Sequence, residues 1–216
     1  MDGPGGAGKT AIGKRLAHEL GYRFLDTGVL YRAVTLQALS NNIDLEDAEA
    51  LTRLAKGLRI ELGQRGDGST TIVVDGTDVT DRLRAPEIDR NVSIVSPVFG
   101  VRQAVLRLQR ELAKGGGIVM VGRDIGTVVL PDAPLKFYLD ASTEERARRR
   151  VKELAAGGVE RPYDEVHAEL ADRDKRDTER EHSPLMAAPD AEVVDTDGLS
   201  EEQVFQLVFA KALARA

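Results

Sequence analysis

Apolar residues recur at helical spacing over residues 11–20 and again over 29–39, where Leu30, Val34 and Leu39 share one predicted face. The short run at 23–25 between them predicts a strand. Strand and helix therefore alternate early. Residues 58–62, 71–75 and the short 78–80 read as antiparallel strands, with Arg65-Gly66-Asp67-Gly68 as the turn between the first two. That block interrupts the alternation and predicts an inserted small sheet over residues 57–96. Helical spacing resumes at 101–112. Residues 118–121, after Gly115-Gly116-Gly117, and 136–139 are continuous apolar strands, the kind used by a parallel sheet covered on both faces. Charged helices are predicted over 143–154 and 163–173, a last strand over 192–195 and a closing helix over 201–214. The pattern is that of one α/β domain with an antiparallel insertion.

Composition narrows the classes. The 216 residues are 42% hydrophobic and 31% charged, enough for one domain with a real core and too polar for a membrane protein. No run approaches the ~18 apolar residues of a membrane span, and no basic stretch followed by an apolar one opens the chain, so neither a span nor a secretory signal is expected. There is no cysteine, which fits a reducing cytoplasm and removes disulfides, thiolate metal sites and thiol nucleophiles. A net charge of −6 argues against duplex nucleic acid, which needs a broad basic surface; a small anionic substrate needs only a few local arginines.

The strongest local signal is Gly3-Pro4-Gly5-Gly6-Ala7-Gly8-Lys9-Thr10, which fits G-x-x-x-x-G-K-[ST] at every fixed position and runs into helix. Glycines let backbone N–H groups turn toward phosphate oxygens, and the helix adds the positive end of its dipole. Lys9 supplies a mobile charge for the outer phosphates and the Thr10 hydroxyl is placed to ligate Mg2+. A glycine-rich helix cap would need neither. Such a loop normally follows a buried strand of about five residues, yet only Met1 and Asp2 precede Gly3. The expectation is a truncated first core strand and a natural start farther upstream.

Other candidates are weaker alone. Gly122-Arg123-Asp124-Ile125-Gly126-Thr127 follows a buried strand, at the edge where open α/β sheets bind ligands; a local Arg–Asp pair closing a turn is the plain alternative. Asp26-Thr27-Gly28 with Tyr31 and Arg32 is a similar strand-to-helix junction, where Asp26 could simply cap the helix. Arg146, Arg149 and Arg150 on one helix, then Arg161, Arg173, Arg176 and Arg180, form a cluster suited to a phosphate clamp, although a solvated face balanced by Glu144, Glu145 and Glu153 explains any single one. His18, His167 and His182 show no metal-ligand spacing, and no catalytic triad is arguable. A phosphoryl transfer needs none, since its acceptor phosphate is already nucleophilic.

Taken in order, the loop at 3–9, Asp26-Thr27-Gly28-Val29-Leu30-Tyr31-Arg32, Val101-Arg102 with Gln109-Arg110, Gly122 through Val129, Asp132-Ala133-Pro134, and Arg173-Asp174 running through Arg176-Asp177 to Arg180 resemble bacterial cytidylate kinase along nearly the whole chain. The resemblance implies a P-loop NTPase fold with a three-layer parallel sheet, the 57–96 insertion as a monophosphate-binding subdomain, and a helical lid near residues 150–180. It implies ATP as donor with Mg2+, CMP and dCMP as acceptors, no nucleic-acid or membrane partner, and a monomer. By matched position, residues 3–11, ending in Thr10 and Ala11, with Arg146 and Arg150, would hold ATP. Thr27, Ser93, Arg123, Asp124, Arg173 and Asp177 would hold cytosine and sugar, and Arg32, Arg102 and Arg180 the acceptor phosphate. Lys9, Arg123, Asp124 and Arg180 would carry the transfer. Three positions depart from the pattern: Val121, usually acidic and placed to support magnesium or the cytidine pocket; Ala11, usually hydroxylated or small and polar; and Gly100, often proline. Other readings are a P-loop kinase for a different small acceptor and a nucleotide-binding module without turnover. No N-K-x-D element that would read guanine occurs, so a GTPase switch is not expected.

Overall fold

The computed structural model describes residues 1–64 and 70–215. In chain order its elements are α1 (Lys9–Glu19), β1 (Arg23–Asp26), α2 (Gly28–Ser40), α3 (Ala48–Gly57), β2 (Ile60–Gln64), β3 (Thr70–Val74), β4 (Thr77–Asp78), α4 (Pro86–Val95), α5 (Phe99–Ala113), β5 (Ile118–Val121), β6 (Phe137–Asp140), α6 (Thr143–Ala156), α7 (Tyr163–Glu179), β7 (Glu192–Asp195) and α8 (Glu201–Leu213). A 3-10 turn covers Thr80–Arg84 and a π-type turn Ile125–Val129. The chain divides into two compact units, Met1–Phe24 with Gly117–Ala216, and Leu25–Gly116.

In the first unit β6 and β7 pair in parallel, Phe137 opposite Glu192 through Asp140 opposite Asp195. The start of β1 lies beside β5, Arg23 donating to the Gly117 carbonyl at 2.8 Å. Met1 and Asp2 fill the slot between β5 and β6. The Met1 amine donates to the Met120 carbonyl at 2.9 Å, and Gly122 N–H donates back to Met1. Asp2 repeats this on β6, donating to Phe137 and accepting from Leu139, in a parallel bridge opposite Tyr138. The core behind this seam comprises Ile12 and Leu16 of α1, Val121, Phe137, Leu139, Val194, and Val204, Phe205 and Val208 of α8. Those three α8 residues, at about 1.5–3 kcal/mol of burial each, outweigh helix-propensity differences of at most about 1 kcal/mol per residue. Packing therefore holds α8, assisted by a capping box in which Ser200 accepts from Gln203 N–H and the Gln203 side chain accepts from Ser200 N–H.

Val121 belongs to this core. A Cβ on Gly13 would come within 2.7 Å of Val121 Cγ1, so the valine is accommodated because α1 carries glycine opposite it. Its side chain meets the second turn of α1.

In the second unit β2, β3 and β4 form a three-stranded antiparallel sheet, Ile60 opposite Val74 and Val74 opposite Thr77. Asp75 and Gly76, at φ 48° and 82°, make the two-residue turn between β3 and β4 that the right-handed strand twist favours. The predicted turn at 65–68 lies outside the described residues. The expected strands are thus present, but the surrounding block holds helices the periodicity reading did not assign. α3 begins at an Asp47 side chain accepting from Ala50 N–H at 2.9 Å, and α4 begins with Pro86 and buries Ile88, Val92 and Val95. α2 also differs from the one-faced helix expected: Leu30, Tyr31, Ala33, Val34, Thr35, Leu36 and Ala38 are all buried. Gly100 has a packing reason, since a Cβ there would lie 2.1 Å from Thr52 Oγ1 on α3.

Candidate active site

The phosphate loop is set by backbone geometry. Gly3 has φ 140°, and a Cβ on it would sit 2.0 Å from the Leu139 carbonyl oxygen, so only glycine allows the chain to leave Asp2 and turn over β6. Gly8 caps α1 in the left-handed region at φ 90°. No acidic residue stands in the first turn of α1, so nothing there neutralises the positive end of its dipole. Lys9 is buried and its Nζ donates to the Pro4 carbonyl at 2.6 Å, folding the ammonium back across the loop. Thr10 follows, half-buried, and Ala11 is exposed.

Arg146 lies behind this loop. Its side chain is 4% exposed, with Nε donating to the Ala141 carbonyl at 2.9 Å, Nη1 to the Gly5 carbonyl at 3.1 Å and Nη2 to Thr143 Oγ1 at 2.8 Å. Nη2 also pairs with Asp174 Oδ2 at 2.6 Å. Its donors are thus directed to protein groups, and it supports the cradle through Gly5. The other arginines of α6 divide differently. Arg149 donates to Glu145 and to Thr196, and Arg150 forms a partly exposed pair with Glu153 at 2.8 Å. Shared helical spacing did not distinguish the arginine that penetrates from those that stay outside. Arg161 is held by Glu165 and Glu169, whose hydrogen bonds raise its pKa, and Arg176 donates to the Asp172 carbonyl.

Beside the loop, residues far apart in sequence converge. Arg123 Nε donates to Asp177 Oδ2 at 2.9 Å, Arg180 Nη1 lies 3.6 Å from Asp177 Oδ1, and Arg173 Nε 4.0 Å from Oδ2. Three guanidiniums thus face one carboxylate. Burial pushes the Asp177 carboxyl up, but the charges of Arg123, Arg173 and Arg180 and the Arg123 hydrogen bond more than offset it, and its pKa is lowered. The cluster abuts the cradle: a Cβ on Gly5 would lie 3.3 Å from Arg123 Nη2 and 3.9 Å from Arg173 Nη1. Asp124, buried, accepts from Val128 and Val129 N–H through its carbonyl and opens the π-type turn.

The remaining expected acceptor residues belong to the second unit. Thr27 is buried at the head of α2, where Asp26 Oδ1 accepts from Gly28 N–H at 3.0 Å, a capping contact. Arg32 Nη2 pairs with Asp89 of α4 at 2.6 Å and Nη1 donates to the Leu83 carbonyl at 3.0 Å. Ser93 lies one turn beyond Asp89 on α4. Arg102 is buried, donates to the Ser96 carbonyl, and stands 5.4 Å from the centroid of the Tyr31 ring.

Three carboxylates in these contacts were given no role by the sequence: Asp2, Asp89, and Asp174, which entered only as part of the Arg173-to-Arg180 motif. Asp89 and Asp174 carried a usable signal, being near an arginine-bearing motif, whereas Asp2 contacts residues more than a hundred positions away. Among the described residues no group of three or more His, Cys, Asp or Glu could hold a metal, and no helix is long and apolar enough to cross a membrane.

A parallel α/β unit carrying a phosphate-binding loop before α1, with guanidiniums beside that loop, defines a P-loop nucleotide-binding protein built for phosphoryl chemistry. The family model described as Cytidylate kinase matches residues 1–213. The chain is 45% identical over 214 residues to the cytidylate kinase of Pelotomaculum thermopropionicum, covering 99% of this chain and 95% of that one. It is 47% identical over 209 residues to that of Caldanaerobacter subterraneus, covering 97% and 91%, and 43% identical over 215 residues to that of Streptococcus pneumoniae, covering 100% and 96%. The chain belongs to the cytidylate kinase family.

Proposed function

We infer that this protein transfers the γ-phosphoryl group of ATP to CMP and to dCMP. An oxygen of the acceptor phosphate attacks the γ-phosphorus, the bond from that phosphorus to the β–γ bridging oxygen breaks, and ADP leaves. The attacking oxygen is already anionic, so no general base is required and the work is positioning and charge. The observation that carries this reading is the approach of Arg123 and Arg173 to Gly5 of the cradle, which sets guanidiniums beside the place where phosphate would lie.

In this reading residues 3–11 hold the donor, and Lys9 exchanges the Pro4 carbonyl for phosphate oxygens. Arg146 supports the loop, and Arg150 would have to leave Glu153 to reach ATP. Thr27, Ser93, Arg123, Asp124, Arg173 and Asp177 hold cytosine and sugar, while Arg32, Arg102 and Arg180 hold the acceptor phosphate. A hydroxyl and carboxylate set of this kind rejects a mismatched base strongly, because the wrong base leaves buried polar groups unpaired. Magnesium would be held by the Thr10 hydroxyl, half-buried at the start of α1, together with oxygens of the nucleotide. When bound it offsets phosphate charge. The same reading takes residues 57–96 as the monophosphate-binding insertion, the region near 150–180 as a lid, and the enzyme as a cytoplasmic monomer.

The test is ADP release from ATP and Mg2+ across CMP, dCMP, UMP and AMP. Activity highest on CMP and dCMP is expected; folded protein that binds ATP yet releases no ADP at saturating CMP would overturn the assignment.

A further inference from the structure

Asp2 stands directly before the phosphate cradle, and its buried carboxylate is engaged by the Gly122–Val129 loop. Oδ1 accepts from Ile125 N–H and Oδ2 from Gly126 N–H, each at 2.7 Å. These are the two residues that follow Arg123-Asp124. The backbone of Asp2 is fixed independently by its bonds to Phe137 and Leu139 of β6. One residue therefore holds β6 through its backbone and the Gly122–Val129 loop through its side chain, and it passes directly into Gly3.

We propose that Asp2 is a positioning residue: by accepting the Ile125 and Gly126 N–H groups, it fixes where Arg123 and Asp124 stand relative to the phosphate cradle. The assignment rests on the CMP kinase reading for its kinetic consequence. Both oxygens must accept, which an ionised carboxylate does and an amide does not, since an asparagine at this position turns an NH2 donor against one of the two N–H donors. Residue 126 is closely packed against the carboxylate, and a side chain there would force its neighbours to give by a few tenths of an ångström. A Cβ there would lie 3.3 Å from Asp2 Oδ2, 3.1 Å from Lys136 Cδ and 3.4 Å from Ala188 Cβ. Arg123 is in turn the arginine bonded to Asp177, so displacement of the loop moves the guanidinium that reaches toward Gly5. Misplacement by about 1 Å can cost on the order of 100-fold in rate.

The experiment compares wild type with Asp2→Asn, and with Gly126→Ala, which perturbs the same contact from the opposite side. The expected result for both is a CMP KM raised about tenfold or more and a lower kcat, with the dissociation constant of an ATP analogue, measured without CMP, within about twofold of wild type. Loss of thermal stability with unchanged CMP KM and kcat in the folded protein would overturn the proposal. So would an equal weakening of ATP and CMP binding, the signature of general loosening. If Asp2→Asn does not fold, Gly126→Ala decides by the same criteria. Failure of wild type to phosphorylate CMP would instead sink the substrate assignment. The contact is then read from amide hydrogen exchange at Ile125 and Gly126, which Asp2→Asn accelerates if the carboxylate holds the loop and leaves unchanged if it does not.

Discussion

Replacing Asp174 by alanine removes the carboxylate partner of Arg146 while leaving the guanidinium buried. The pair is 2.6 Å long, with side-chain exposures of 4% for Arg146 and 20% for Asp174. Removing one member of a buried pair typically costs about 3–5 kcal/mol. Arg146 keeps its bonds to Ala141, Gly5 and Thr143, and water reaches the Asp174 side, so the cost falls at or just below the lower end of that range, about 2–3 kcal/mol. For a chain of this size each kcal/mol moves the melting temperature by roughly 2–4 °C, which gives an expected fall of about 4–12 °C. A double-mutant cycle isolates the pair: Arg146→Met alone, Asp174→Ala alone, and both together, followed by thermal melts and ATP-analogue binding. Because the damage comes from leaving the charge unpaired, Arg146→Met masks most of the stability loss caused by Asp174→Ala. Arg146→Met also weakens ATP binding, because the Gly5 carbonyl loses its support. A melting temperature within about 1 °C of wild type for Asp174→Ala, or strict additivity in the cycle, would refute the unpaired-charge mechanism.

Further perturbations test other parts of the structure. Asp177 has a lowered folded pKa, so its contribution is fully present above the ordinary aspartate value near ~3.9 and is lost as pH falls through the lower folded value. Asp177→Asn should therefore lower the melting temperature at pH 7 and flatten its decline below about pH 4; an unchanged acid limb counts against the arginine cluster. Gly3→Ala should abolish ATP binding, since its Cβ would overlap the Leu139 carbonyl, whereas Gly5→Ala meets only the side-chain ends of Arg123, Arg173 and Leu170 and should leave the fold intact, with a change of at most about 1 kcal/mol in melts. Val121→Asp should destabilise by several kcal/mol, on the order of 2–5, by placing a carboxylate in the apolar core opposite Gly13. A variant as stable as wild type would show that the side chain reaches water.

Local signals were the legible ones. The phosphate loop, β5 over Ile118–Val121 and β7 over Glu192–Asp195 follow from contiguous residues and were readable without their neighbours. The helix expected to stop at 173 runs to Glu179, because its continuation is polar and supplies no apolar period to follow. α3 and α4 were obscured by the adjacent strands, although the Asp47 cap, Pro86 and the Ile88, Val92, Val95 spacing all stood in the sequence. The limit within the site was different in kind. Spacing placed Arg146 and Arg150 on one face, but only three-dimensional packing shows that one enters the interior and the other pairs at the surface. Likewise the Arg123–Asp177 contact spans 54 positions, and no periodicity encodes a partner at that distance.

The seam that Met1 and Asp2 make with β5 and β6 bears on solubility. It occupies the β5 and β6 backbone groups at Met120, Gly122, Phe137 and Leu139. Were the seam to peel away, two strand edges would face solvent with buried Val121 and Leu139 beside them, the arrangement that templates pairing between molecules. The residues that lead into the phosphate cradle thus also keep the sheet from offering itself to another chain. Conditions that fray this seam should produce aggregates before they produce a fully unfolded monomer.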